Sequence, residues 1–297
     1  NPPDTIFLIG AFYKIFCGKK FVFDHHDINP ELYVAKFNRK DLFYRLLILF
    51  ERLTFLTADY SIATNESYRQ IAIERGKMKP ERVAVVRSGP NLKRVRKLDP
   101  QPSLKGDRPY MVGYVGVIGQ QEGIDLLIET VDYLVNTQGR TDIGFVVLGD
   151  GPDREPMQKL SEEKGLAEYI DFRGRVSDEE LLAYLNTADV CVNPDRVNEM
   201  NDKSTMNKIM EYMALEKPIV QFELTEGRVS AQASSLYAKP NDPVDFGDKI
   251  LDLLADDERR HEMGKMGRQR VLDELSWTSS AKVLLEFYDN VFARKAA

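Results

Sequence analysis

Beyond residue 109, short apolar runs alternate with longer segments in which apolar side chains recur at helical spacing, the pattern of βαβ units. Runs at Met111–Val117, Gly144–Leu148, Tyr169–Phe172, Val190–Asn193 and Ile219–Phe222 predict strands of a parallel sheet. The helix at Met206–Leu215 carries Met206, Ile209, Met210 and Met213 on one face. Such alternation builds a doubly wound α/β domain, whose ligands bind beyond the carboxyl ends of its strands. The loops Gly116–Gly123, Gly149–Gly151, Gly174–Ser177 and Asn193–Thr205 all fall at that edge and predict one crevice.

Before Lys97 the pattern is sparser. Strands are expected only at Lys20–Phe23, Tyr60–Ala63 and Val83–Val86, behind a Pro-initiated helix in PPDTIFLIGAFYKIF. A Pro-, Gly- and charge-rich stretch, DPQPSLKGDRP, marks a boundary. The expected organisation is a partial, N-terminally truncated Rossmann-like domain over 1–98, a complete one over 99–275, and a last helix over 276–297 that packs back on the first. That helix places Val283, Leu284, Phe287 and Val291 on one face, with core packing also expected for Trp277 and Tyr288.

Composition narrows the class. At 297 residues and 43% hydrophobic content the chain can bury one large or two ordinary cores. The longest apolar run, Leu46–Phe50, is too short to span a bilayer. Cys17 and Cys191 lie in apolar surroundings, so both are expected as free buried thiols in a reducing, cytoplasmic setting. The net charge of -6 divides unevenly: residues 1–98 hold 18 Lys/Arg and 10 Asp/Glu, which leaves +8 there and -14 beyond. The basic segment FNRKDLFYRLLILFERLTF fits two readings. Leu46, Leu47, Phe50, Leu53 and Leu56 form either a core face or a surface for anionic lipid at the inner face of a membrane. Nothing points to nucleic acid.

Candidate chemistry centres on Asn193–Val220, where a strand gives way to a helix through a polar loop. Asp202 or Ser204 can cap that helix, leaving backbone N–H groups near Lys203 to Met206 free to meet a phosphate, with Thr205 and Asn207 as further binding candidates. Glu211 stands seven residues beyond Ser204, roughly 10 Å along a helix, and could reach a sugar hydroxyl one nucleoside length from a bound pyrophosphate. In the loop after the strand at Met111, Gly116 and Gly119 allow close backbone approach, with Gln121 beside them. His25 and His26 follow the strand at Lys20. Their side chains point to opposite faces, which argues against joint metal ligation, and no Asp-x-Asp pair adjoins a strand end, so no metal is expected.

At Glu211-Tyr212-Met213-Ala214 the chain resembles the GT4 family of retaining glycosyltransferases. The likeness continues in LGDGPDREPMQKL, in YIDFRGRVSDEELLAYLNTADV and in the late LSWTSS, and covers nearly all of Tyr110–Tyr288. The closest pattern is a subgroup carrying Ser-x-x-Asn-Lys-x-x-Glu-Tyr-Met-Ala, here Ser204–Ala214. The resemblance implies a GT-B fold, two Rossmann-like domains with a nucleotide-sugar donor held by the second. It also implies hexosyl transfer, with no cofactor, to a glycan or lipid-linked acceptor, as in cell-surface polysaccharide biosynthesis. It assigns Glu211 to the ribose, His26 to the transferred sugar, Arg175 to the neighbourhood of the base, and Glu226 with Arg228 to the hexose. The family's Arg and Lys phosphate clamp aligns with Val117 and Glu122, so both charges are absent. Lys203 and Lys208, with Arg196 or Arg228, are the expected replacements. A sugar-nucleotide 2-epimerase and a non-catalytic nucleotide-sugar-binding subunit are the rival readings.

Overall fold

The computed structural model describes residues 5–293. Two compact units divide them. One takes the chain as far as Ser88, together with Asn198–Thr205 and the segment from Trp277; the other takes Gly89–Val197 and Met206–Ser276.

The first unit opens with α1 (Phe7–Cys17), β1 (Val22–His25), α2 (Asn29–Phe37), α3 (Leu42–Thr57), β2 (Tyr60–Ala63), α4 (Glu66–Gln70) and β3 (Val83–Val85). In the second unit follow β4 (Tyr110–Val115), α5 (Ile124–Asp132), β5 (Ile143–Leu148), α6 (Arg154–Glu163), β6 (Ile170–Gly174), α7 (Asp178–Thr187) and β7 (Val190–Asn193). Next, α8 (Glu199–Lys203) belongs with the first unit. The second unit is completed by α9 (Asn207–Ala214), β8 (Ile219–Phe222), α10 (Thr225–Ala231), β9 (Ser235–Ala238), α11 (Pro243–Leu254) and α12 (Asp257–Arg270). The last helix, α13 (Trp277–Ala293), lies in the first unit.

In the first unit β1, β2 and β3 form a parallel sheet in that order, with Phe23 opposite Ser61 and Ile62 opposite Ala84. Phe23, Phe55, Ala63, Tyr68, Ile71 and Val83 pack on one face, and Ile62 and Val86 meet Phe287 and Val291 of α13 on the other. The expected strand at Lys20–Phe23 is shifted two residues onward, which carries His25 into the strand and buries it. Period-two alternation explains this, because His25 points to the same side as Phe23.

α3 buries a different face from the one its apolar residues suggested. Leu46 and Leu56 are exposed, as are Leu42, Phe43 and Leu49, while Glu51, Thr54 and Phe55 are buried. Arg75 draws Glu51 inward: its guanidinium holds Glu31 at 2.7 Å and Glu51 at 2.5 Å. A charge-assisted network of this kind keeps two carboxylates inside because each is paired. α1 likewise buries no residue. Cys17 is exposed, against expectation, whereas Cys191 is buried and its thiol is pushed up to about 12 by that burial. Trp277 is also exposed.

The second unit is a six-stranded, wholly parallel sheet in the order β6-β5-β4-β7-β8-β9. β9 completes it beyond the five strands read from sequence. Val112, Tyr114, Val147 and Val192 face a core shared with α5 and α11, and Met111, Val146 and Cys191 face one shared with α7 and α9. The strand order reverses between β4 and β7. That reversal opens the sheet's carboxyl edge there, which is where doubly wound sheets take ligands.

Candidate functional site

Backbone approach holds the loops at this edge together. A Cβ on Gly149, whose φ is 140°, would collide with the Gly116 carbonyl, and one on Gly123, at φ 63°, would collide with the Pro194 carbonyl. Only glycine satisfies both the left-handed φ and the approach. The loop after β4 is thereby fixed against the loops after β5 and β7, and Gly149 N–H donates to the Gly174 carbonyl at 2.8 Å. A cavity of about 580 Å3 opens at the opposite edge, among Pro109, Asp189 and Pro218, which precede β4, β7 and β8. Within it Lys105 pairs with Asp189 at 2.7 Å. We therefore place the functional site at the carboxyl edge, where the switch point lies.

Lys208, in the first turn of α9, is the cation of that edge. Its ammonium lies 2.6 Å from Asp195 Oδ1, donates to Tyr114 Oη at 3.4 Å and sits 4.7 Å from the centre of the Tyr114 ring. A Cβ on Gly116 would lie 3.5 Å from the same nitrogen, so the glycine loop passes beside it. The Tyr114 hydroxyl donates to Val117 O at 2.8 Å. Asp195 is almost wholly buried; burial raises its carboxyl pKa and Lys208 pulls it back. Burial, with Asp195 and Glu122 adding to it, pushes the Tyr114 phenol well up. The result is a neutral phenol and a buried, oriented ion pair.

Glu211 lies three residues past Lys208 on α9. Burial raises its carboxyl pKa, Arg94 opposes this and Asp178 adds to it. Arg94 meets Asp178 through two bonds of 2.8 Å, and these three groups line a small gap with Leu181 and Leu185. No side-chain donor reaches Glu211 among the described residues, so its carboxylate is open to a ligand hydroxyl.

The junction itself differs from expectation. α9 begins at Asn207, with Met206 as an N-cap whose side chain makes no capping bond, while Asp202 and Lys203 lie inside α8, which Asn198 caps. Neither Asp202 nor Ser204 caps α9. Instead Asn65, buried at the start of α4, donates to Lys203 O at 2.8 Å and to Thr205 Oγ1 at 2.9 Å. The Ser204 hydroxyl donates to Met200 O at 2.7 Å and meets Tyr68 Oη at 3.2 Å. Ser204 and Thr205 are thus engaged within the first unit. Lys203 is held there too, 2.8 Å from Glu199 and 3.6 Å from Glu31.

The other expected cations are also engaged. Arg196 pairs with Asp125, and Arg228 pairs with Glu223 at 2.7 Å and lies over the Tyr237 ring. Glu226 was read as part of a polar loop; it lies in the first turn of α10 and is buried. Gln121 is buried, its carbonyl accepting from Arg196 N at 3.0 Å, while Asn207 and Arg175 are exposed. His26 is exposed and pairs with Asp24 at 2.9 Å. Its neighbour His25 is enclosed by Phe23, Phe55 and Tyr68, with ring centroids 5.1 to 5.3 Å away. Burial, with Arg75 and His26 adding to it and the Asp27 backbone opposing, lowers its pKa to about 3. Sequence reading missed Asp195 and Tyr114. Asp195 was legible in principle, as an acid two residues past a strand end.

Among the described residues no group of His, Cys, Asp and Glu is arranged to hold a metal ion, and no helix is long and apolar enough to cross a membrane.

With this geometry established, comparison with known proteins gives a consistent family. A model described as Glycosyl transferases group 1 matches residues 109–256. The alpha-D-kanosaminyltransferase of Streptomyces kanamyceticus is 28% identical over 161 residues, 54% of this chain and 40% of the relative. The GDP-mannose-dependent alpha-(1-6)-phosphatidylinositol monomannoside mannosyltransferase of Mycolicibacterium smegmatis is 30% identical over 190 residues, 61% of this chain and 48% of the relative. The chain therefore spans less than half the length of these relatives. Among solved structures, sucrose-phosphate synthase from Thermosynechococcus elongatus superposes with a TM-score of 0.77 at 20% identity, covering 97% of this chain and 72% of that one. Anabaena HepE in complex with UDP gives 0.80 at 15% identity, covering 97% and 77%. At these identities the likeness establishes the fold, which is GT-B.

Proposed function

We propose that this chain is a group 1 glycosyl transferase of the GT4 type, and that it transfers a hexosyl group from a nucleotide-sugar donor, with retention, to a glycan or lipid-linked acceptor. The observation that carries this reading is the oriented Lys208–Asp195 pair under the Gly116 loop, at the switch point of a six-stranded parallel sheet. A fixed ammonium beside glycine backbone is suited to a diphosphate that gains charge as it leaves. The scheme needs no metal and no cofactor.

The sugar C1–O bond to the phosphate breaks, its electron pair passing to the phosphate oxygen. The acceptor oxygen bonds C1 on the same face, and its proton passes to the departing phosphate oxygen. Lys208 and the loop amides stabilise that oxygen, and Glu211 accepts hydrogen bonds from the ribose. His26 would stand near the sugar, and Arg175 near the base. For a lipid-linked acceptor, the exposed apolar residues of α1 and α3, with exposed Lys40 and Arg45 beside them, suit contact with an anionic bilayer from the cytoplasmic side.

Incubation with UDP-, GDP- and ADP-sugars over an acceptor panel, followed by mass spectrometry and anomeric analysis, tests the reading. Glycosylated product with the donor's anomeric configuration is expected. Tight nucleotide binding without turnover on any acceptor would replace it with a binding subunit, and a donor epimerised without acceptor would replace it with an epimerase. Glu211→Ala should weaken nucleoside diphosphate binding roughly tenfold, the loss of hydrogen bonds to a charged group. Unchanged affinity in a folded variant, measured by calorimetry, would remove Glu211 from the ribose.

A further inference from the structure

Glu122 stands where the resembled family carries a cation, on the loop that passes beside Lys208. No side chain donates to its half-buried carboxyl. A Cβ on Gly119 would lie 2.9 Å from its Oε2, so the carboxyl lies against the glycine loop itself. From β4 it faces the Tyr114 phenol, which carries no charge; from the loop after β7, Asp195; and from α9, Lys208. Asp125 and Arg196, nearby on α5 and the loop after β7, pair with each other. Among the described residues Lys208 is the cation whose charge acts on Glu122, and it is already held by Asp195 at 2.6 Å. Two carboxyls therefore share one ammonium.

We propose that Glu122 meets the donor diphosphate as a neutral acid, donating its proton to a phosphate oxygen, so that loading the donor fixes one proton on the protein. An ionised Glu122 would oppose two phosphate charges across the same short loop, whereas the protonated acid supplies an O–H donor where a lysine would supply N–H. No bond other than this hydrogen bond forms, and the proton comes from solvent. Burial and Asp195 already raise the carboxyl pKa, against Lys208 and the backbone N–H groups of Glu122 and Gly119. Bound diphosphate raises it further. Between the free-state and bound-state pKa values the donor complex binds more protons than the free protein, so affinity falls as pH rises through that window.

The inference rests on the diphosphate reading of this edge, and one experiment separates the two. UDP-glucose, GDP-mannose and ADP-glucose, whose diphosphates stay ionised throughout, are titrated calorimetrically into the full chain in buffers of different ionisation enthalpy, from about pH 5 to about pH 8. Wild type should take up as much as one proton per donor bound and lose up to about tenfold in affinity per pH unit. Glu122→Gln should bind with neither proton uptake nor that slope. Binding that involves no proton, or uptake that persists in Glu122→Gln, overturns the inference alone. If wild type binds no probe, the diphosphate reading falls and takes this inference with it.

Discussion

Replacing Lys208 with methionine is expected to lower kcat by about two to three orders of magnitude, the usual loss when one preorganised donor to a developing oxyanion is removed. Donor affinity should fall much less, because the ammonium matters most as the phosphate oxygen acquires charge. Initial rates over a donor series give kcat and KM separately; a fall of the same size in both would make Lys208 a ground-state ligand instead. Stability is expected to drop by about 3 kcal/mol, because Asp195 is left buried without its partner. The double variant Lys208→Met/Asp195→Asn separates the two effects. Removing the stranded charge should restore much of the stability and none of the turnover, as read by chemical denaturation and by rate. Recovery of turnover would show that Asp195, not the absence of the amine, had caused the loss.

Acid should destabilise the first unit through His25. Its folded pKa is about 3 against an ordinary value of 6.5, so between those values the unfolded chain binds the proton and the native one does not. Stability contributed by the neutral ring is present above pH 6.5 and is lost as pH falls, at roughly 1.4 kcal/mol per unit and about 5 kcal/mol in all. Trp277, the only tryptophan, begins α13 in this unit and reports its unfolding. Urea titrations at about pH 7 and about pH 4.5 should show wild type losing stability relative to His25→Phe, which keeps an aromatic ring among Phe23, Phe55 and Tyr68. Parallel losses in both proteins would show that the acid sensitivity lies elsewhere.

Much of the second unit was legible because its strands are buried on both faces and read as apolar runs. Five of its six strands were located this way, and Glu211-Tyr212-Met213-Ala214 marked the helix that carries Lys208 and Glu211. β9 was missed because Ser235–Ala238 is short and no stronger than its neighbours. The shift in β1 has another cause. Asp24 and His25 look like a polar loop, yet alternation places His25 beside Phe23. α3 misled for a third reason, since its exposed leucines outnumber the groups it buries and Glu51 enters only because Arg75 awaits it from a distant turn.

The sequence alone determined the alternation of strand and helix, the glycines that allow backbone approach, and the helix bearing Lys208 and Glu211, because each is a local consequence of periodicity or side-chain size. The tertiary structure decided which charges remain for a ligand. Lys203, Arg196 and Arg228 each find a carboxylate, Ser204 and Thr205 turn to Tyr68 and Asn65, and Lys208 is aimed by Asp195 beneath Gly116. Ion pairing depends on distances of a few ångströms between residues far apart in the chain, and no one-dimensional pattern encodes them.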